Sequence, residues 1–342
     1  MTRGPVKTAR SMTHAHICRL PGAYQPVQAA HTAHRLSELL FHQVAGETHS
    51  PHRKNFPTPA KTIVITGTAS GFGYLSVRRF AEAGWNVVAT VRKEADLDAH
   101  AGLDNVRTLL PNVDHEDAAL AFGDLALSQF GRLDALINNA GYFQGGPLEA
   151  ITMDQAHRQF QTNVFGLIAL NKTVIPIFRK QRSGVIVNVS SISADAGFPY
   201  TSVYQASKAA VASLSEGLHA ELAEFGVQVK ALHPGSHETK FFSKVDRAEN
   251  VPEEYVASWN TFASLNLVRS DPALTAEMMF RMVTDGDTKK VHYYSGPDGE
   301  AIPRVKQLLG QDWCLEELAA RDRGQATALW DSLMPTPVKA AS

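Results

Sequence analysis

What most constrains the fold of this chain is an alternation that begins at Lys61. Short runs dense in apolar and β-branched residues recur along it: TIVITG, WNVVATV, VRTLLPNV, LDALINNAG, SGVIVNVSS, VQVKALHPG and KKVHYYSG. Amphipathic helical stretches separate most of them. Each run is too short for a helix, and its apolar character is continuous rather than alternating. Such strands are buried on both faces, and their alternation with helices makes the sheet parallel. The expectation is an α/β fold: one doubly wound, seven-stranded parallel sheet with helices on both faces, in a single domain.

The first run passes directly into a glycine turn, TIVITGTASGFG, and then into the helical stretch FGYLSVRRFAEAG. Gly67 permits a tight turn out of the strand. Gly71 and Gly73 let the backbone approach a pyrophosphate and let the helix pack on the strand. The helix N-terminus offers free N–H groups and the positive end of its dipole. Strand, turn and helix in the first βαβ unit make a dinucleotide site of the Rossmann kind, with Thr66, Gly67, Ser70, Gly71, Phe72 and Gly73 as its contacts. At the end of the second strand a carboxylate selects NAD, and an arginine accommodates the 2′-phosphate of NADP. Here VVATVRKEAD puts Val91 at the acid's position, with Arg92 next to it. NADP(H) is therefore favoured over NAD(H), with Ser70 able to add a hydroxyl to the phosphate. The competing reading makes Arg92 and Lys93 solvated loop charges.

A formal net charge of −1 gives no basic field for nucleic acid or an anionic membrane surface. No apolar run approaches the roughly 20 residues of a membrane span. Cys18 and Cys314 form neither a metal-ligand spacing nor a disulfide framework, which fits a reducing, cytoplasmic compartment. Residues 1–59 differ from the rest. They hold His14, His16, His31, His34, His42, His49 and His52, and their first acidic residue is Glu38. The favoured reading is a disordered polar extension outside the fold. A basic organellar transit segment is a second reading, and metal binding by irregularly spaced histidines a third. Leu36, Leu39, Leu40 and Val44 would share one helix face there, and SPHRKNFPTPAK reads as a linker.

The chemistry sits in VYQASK. Tyr204 and Lys208 are four residues apart at the start of a long helical stretch and so share a face. A phenol titrates near pH 10. A neighbouring ammonium favours the phenolate and lowers that value, making the tyrosine a usable acid and base. A strand end rich in serine precedes it, and a serine hydroxyl there can stabilise an alkoxide as it develops.

The G-x-x-x-G-x-G spacing preceded by Thr66, together with the Tyr-x-x-x-Lys pair, resembles the short-chain dehydrogenase/reductase family of the classical type. The resemblance covers about residues 60–300. It implies that Ser191, thirteen residues before Tyr204, is the catalytic serine, with Ser190 and Ser193 structural. It implies that Asn163 in QTNVFG holds a proton relay from the lysine, and that Lys208 also holds the nicotinamide ribose. NNAG brings Asn139, Ala140 and Gly141 to the adenosine side of the cofactor. Pro234, Gly235 and Thr239 in HPGSHET contact the carboxamide and pyrophosphate. Asn112 and Val113 stand where the family often has Asp-Val near adenine. His237 departs from the apolar residue common at its position; it either tunes a ligand contact or is an exposed loop histidine.

The activity implied is hydride transfer between a nicotinamide and a ketone or aldehyde, or its secondary alcohol. Residues 236–268 would cover the crevice, and residues 301–342 form a helical tail. Phe241, Phe242, Tyr255, Trp259 and Phe262 either line an apolar substrate site or pack the cover onto the domain; Phe143, Phe198 and Tyr200 face the site. The partner expected is a small, apolar or aromatic carbonyl compound, and the assembly a homodimer or homotetramer. A non-catalytic dinucleotide sensor on the same fold is the alternative.

Overall fold

The computed structural model describes residues 59–111, 116–264, 269–323, 325 and 327–333. The histidine-rich extension, the helix expected near Leu36–Val44, the pair Asn112–Val113 and residues 265–268 of the cover lie outside the described residues.

The first strand, β1 (Thr62–Ile65), shows why the sheet is central: all four of its residues are buried. Ile63 and Ile65 face one way with Val87 and Ala89 of β2 (Asn86–Thr90) and join Val77 and Phe80 of α1 (Gly71–Glu82). Met279 and Met282 of α7 (Ala273–Thr284) complete that layer. Val64 and Val88 face the other way and join Phe122 of α2 (Glu116–Phe130) and Val174 and Phe178 of α4 (Gly166–Gln181). Side chains in a strand alternate between faces, so a run apolar at every position needs a helix layer on each side. Each such side chain contributes about 1.5–3 kcal/mol on burial.

Seven strands form one parallel sheet in the order β3-β2-β1-β4-β6-β7-β9. They are the seven runs read from the sequence: β3 (Val106–Leu109), β4 (Ala135–Asn138), β6 (Gly184–Val189), β7 (Val227–Pro234) and β9 (His292–Ser295) besides the first two. The strand order reverses between β1 and β4. Beyond the carboxyl ends of strands at such a switch point lies the ligand crevice. Among the described residues no helix is long and apolar enough to cross a membrane.

Two short strands fall outside the alternation. β5 (Gln144–Gly145) pairs in parallel with β8 (Asp246–Arg247) and ties the start of the cover to the loop after β4. Gln155 of α3 (Met153–Phe160) reinforces this join, donating to the Asp246 carboxylate and the Arg247 carbonyl. The cover helix α6 (Glu253–Ser264) follows. The C-terminal stretch holds α8 (Pro297–Leu309), α9 (Gln311–Asp322) and α10 (Ala328–Leu333). α8 runs across residue 300. Its Ile302 packs with Cys314 and Leu318 of α9 against Ile192 and Ala196, beside the serine loop.

Candidate active site

Thr66 directly follows β1, and its hydroxyl oxygen accepts from the backbone N–H of Asn139 and of Ala140, each at 2.9 Å. One buried hydroxyl thereby holds the ends of β1 and β4 together. The Asn139 amide donates back to the carbonyls of Thr66 and Gly67. Its side chain thus braces the glycine turn. Gly67 and Gly71 have left-handed φ values of 69° and 61°. A Cβ on Gly73 would lie 2.5 Å from the Gly67 carbonyl oxygen and 2.7 Å from the Asn139 amide nitrogen. This is a backbone cradle that admits no side chain there. Ser70 caps α1 without bonding its hydroxyl to the helix, and Thr239 closes on Gly71 from across the crevice. Free N–H groups, a free hydroxyl and a dipole end suit a pyrophosphate.

The backbone N–H and side chain of Thr68 both donate to the Thr90 carbonyl, so the turn is pinned to the end of β2. Val91 is buried there and Arg92 is exposed beside the turn. His100, unmarked by any sequence motif, is buried behind it, with Nε2 on the Thr68 carbonyl and its ring stacked on Tyr74. Burial lowers its pKa, which keeps the ring neutral.

Pro234 ends β7. A Cβ on Gly235 would fall 2.0 Å from the Asp298 carboxylate, which also accepts from the Ser236 N–H. His237 is buried, 2 % exposed, with Nδ1 on the Gly235 carbonyl and Nε2 on the Thr275 hydroxyl. Its edge meets the Phe72 ring. The exposed-loop reading of His237 is thus corrected: strands β7 and β9 and helix α7 enclose it.

Tyr204 and Lys208 lie on one face of α5 (Ser202–Leu222), both buried. The Tyr204 hydroxyl hydrogen-bonds with Ser191. The Ser191 oxygen accepts from the Ser193 N–H, which leaves its own proton to donate. Lys208 Nζ donates to the Val189 carbonyl at 2.8 Å and lies 5.9 Å from the centre of the Tyr204 ring. Among the described residues Nζ has no second hydrogen-bond partner, so two of its donors remain for a ligand.

Asn163 is placed by a feature the sequence did not announce. Residues Gln161–Phe165 form a π-helical turn between α3 and α4. The Asn163 amide accepts from the Tyr142 N–H and donates to the Tyr142 carbonyl, both at 3.1 Å, and to the Ser207 hydroxyl. Ser207 donates in turn to the Tyr204 carbonyl. A small polar residue three after the tyrosine was the available signal for it. Gly141 lets Asn163 and Lys208 come close; a Cβ there would sit 3.1 Å from Asn163 Oδ1 and 3.4 Å from Lys208 Nζ. Ser190 is turned away from the crevice onto the Lys208 carbonyl.

The electrostatics correct one expectation. Burial pushes the Tyr204 phenol up to about 12, against the downward pull of its hydrogen bond with Ser191. Burial also pulls Lys208 down to about 8. Desolvation disfavours the charged form of each. Below pH 8 the resting pair is a neutral phenol beside an ammonium.

The aromatic residues divide. Phe143 meets Tyr204 edge-on at 5.1 Å, and Phe241 and Phe242 pack around Phe143. These three form an apolar wall beside Tyr204. Trp259 and Phe262 stack on each other, and Tyr200 meets Trp259 edge-on and Phe262 at a tilt; the Tyr200 hydroxyl donates to Ser258. They fasten the cover. Tyr255 is 37 % exposed and belongs to neither group, and Phe198 packs with the C-terminal cluster of Ile192, Cys314 and Leu318.

A doubly wound sheet with a glycine cradle, and with Ser191, Tyr204 and Lys208 gathered at the same switch point, is the architecture of an oxidoreductase. Residues 61–250 match the family model for short chain dehydrogenases, and the chain belongs to that family. An uncharacterized oxidoreductase of Bacillus subtilis, YusZ, is 34% identical over 257 residues, 71% of this chain and 90% of that one. A short-chain dehydrogenase from Streptomyces avermitilis superposes with a TM-score of 0.68 at 30% identity, over 78% of this chain and 98% of that one. The 3-ketoacyl-(acyl-carrier-protein) reductase of Brucella melitensis, complexed with NADH, is 28% identical with a TM-score of 0.59, over 68% and 94% of the two chains. A short-chain dehydrogenase of Sphingobium yanoikuyae in complex with NADPH is 27% identical with a TM-score of 0.57, over 68% and 86%.

Proposed function

We propose that this protein is an NADP(H)-preferring reductase of apolar or aromatic ketones and aldehydes. The observation that carries the reading is the convergence of Ser191, Tyr204 and Lys208 beneath the Phe143–Phe241–Phe242 wall, next to the glycine cradle. The dinucleotide supplies the hydride when bound. Ser191 donates a hydrogen bond to the substrate oxygen and stabilises the alkoxide as it forms. Tyr204, neutral at rest, passes its hydroxyl proton to that oxygen, completing the alcohol. Lys208 holds positive charge beside the phenolate left behind until a proton returns, and its two free donors fit ribose hydroxyls. Asn163, clamped at Tyr142 and Ser207, holds the relay side of Lys208 in place.

The preference for NADP(H) rests on Arg92 beside the glycine turn and on buried Val91 where a carboxylate would select NAD. The similar chains of known structure hold NADH in one case and NADPH in another. We further propose a homodimer or homotetramer built on α4, α5 and the π turn that leads into α4, where Phe165 is 53 % exposed.

The test is fluorescence titration with NADPH and NADH, followed by turnover assays on a panel of aryl and alkyl ketones. NADPH should bind more tightly, and Arg92→Ala should erase the difference. Tyr204→Phe should keep cofactor binding and lose turnover. Binding of neither nucleotide would end the reading, and turnover surviving in Tyr204→Phe would end the role given to the tyrosine.

A further inference from the structure

Behind the catalytic serine runs a line of four titratable side chains. Asp195, in the loop after β6, has Oδ2 2.9 Å from Nδ1 of His233. The same Nδ1 lies 3.3 Å from the carbonyl oxygen of Ser191. Nε2 of His233 lies 3.0 Å from Nδ1 of His292, and Nε2 of His292 lies 2.9 Å from Oε1 of Glu216 on α5. The line thus crosses from the serine loop through β7 and β9 to the surface of the helix that carries Tyr204. His233 is 1 % exposed, whereas its far end at Glu216 is open to solvent. Tyr294 packs its ring on His233, and burial, with Asp195 beside it, pushes its hydroxyl up to about 12. Lys306 of α8 donates to the Asp195 carbonyl. Among the described residues no group of three or more such side chains is placed to hold a metal ion, and this line does not converge on a point.

The donor inventory fixes how many protons it carries. A carboxylate and a carbonyl only accept. Nδ1 of His233 must therefore bear a hydrogen, and so must Nε2 of His292. Two nitrogens 3.0 Å apart are bonded only if one hydrogen lies between them. Three hydrogens on four ring nitrogens give the pair a single positive charge. With two hydrogens a contact faces lone pair to lone pair; with four, the central contact faces N–H to N–H.

We propose that His233 and His292 share one positive charge and act as positioning residues for the catalytic Ser191. The His233 Nδ1–H holds the Ser191 carbonyl, with the Asp195 carboxylate close beside the same nitrogen but not hydrogen-bonded to it, and so closes the turn that aims the serine hydroxyl. The Ala194 N–H shares the Ser191 carbonyl as acceptor. A fourth proton breaks the central N–H···N contact, frees His233 and loosens this turn. The bearing on rate rests on the reductase reading; the proton count does not.

The proton count is tested by 15N resonances of the imidazole rings in the full-length protein. At pH 7 three ring nitrogens should be protonated, with scalar coupling between His233 Nε2 and His292 Nδ1. Two neutral rings, or two cationic ones, would overturn it. The positioning is tested with no substrate by hydrogen exchange at the Ala194 amide. Corrected for intrinsic chemistry, its protection should fall as the pair takes its fourth proton, and protection unmoved across that titration would refute it. The catalytic link is tested with His292→Asn, whose amide oxygen falls where Nδ1 sits and does not titrate, and with His292→Leu, which has no acceptor. In wild type kcat/KM should fall about tenfold per pH unit below the fourth protonation. His292→Asn should lack that limb, and His292→Leu should lose kcat at every pH with its NADPH affinity kept within about twofold. The same acid limb in wild type and His292→Asn would overturn the role. A wild type without turnover would refute the reductase reading instead, while the resonances and the exchange at Ala194 would still decide the pair's charge and its hold on Ser191.

Discussion

Lys208→Met puts a number on the cost of burying this lysine. Burial holds Lys208 at about 8, against its ordinary value of 10.5. One pKa unit corresponds to about 1.4 kcal/mol, so at pH 7 the buried ammonium destabilises the fold by roughly 3 kcal/mol relative to a neutral group. Methionine fills similar space and carries no charge. Against that gain stands the hydrogen bond to the Val189 carbonyl, whose loss costs about 1–3 kcal/mol. At pH 7 the variant should therefore match the wild type or exceed it by up to about 2 kcal/mol, while losing catalysis. The sign with pH is the sharper test. Between pH 8 and 10.5 the unfolded chain binds the lysine proton and the folded chain does not, so wild-type stability rises with pH there. The variant lacks this rise. Urea unfolding of both proteins at pH 7 and pH 10 should show the difference moving by about 2–3 kcal/mol in favour of the wild type. A difference that stays constant would mean that Lys208 is not desolvated and that its position was misjudged.

Gly73→Ala forces a Cβ to within 2.5 Å of the Gly67 carbonyl, so it should cost about 1–3 kcal/mol in thermal unfolding and weaken NADPH binding at least tenfold in the fluorescence titration. Thr66→Val removes the acceptor shared by the Asn139 and Ala140 N–H groups and should cost about 2–4 kcal/mol in urea unfolding, whereas Thr66→Ser should restore most of it. Ser191→Ala removes the hydrogen bond that pulls the Tyr204 pKa down, so the phenol should titrate still higher in ultraviolet difference spectra. The same variant should lower kcat by about 10²–10³ without changing cofactor affinity.

Much of this molecule was legible in one dimension. All seven strands of the sheet were marked by short runs dense in apolar and β-branched residues, because a strand covered on both faces buries nearly every position; the edge strands β3 and β9 follow this least strictly, with Arg107 exposed and His292 half-buried. The glycine cradle was legible because a positive φ and a carbonyl at 2.5 Å leave no other residue type. Tyr204 and Lys208 were legible because helical geometry converts a spacing of four into a shared face.

Tertiary structure decided the rest. The π turn that presents Asn163 depends on the clamp at Tyr142 and Ser207, neither adjacent in sequence. The sequence placed a cation near a phenol and so argued for a lowered phenol pKa; the fold buries both, and desolvation reverses the sign. His237 and Trp259 became structural and Phe241 faced Tyr204 only once α6, α7 and the cover were packed. The chain of Asp195, His233, His292 and Glu216 draws on three strands' ends and a helix, and no spacing announces it. Local periodicity fixes which face a residue presents, because it depends only on neighbouring dihedral angles. Charge state and hydrogen-bond partnership depend on what fills the space opposite, and that is supplied by residues tens to a hundred positions away.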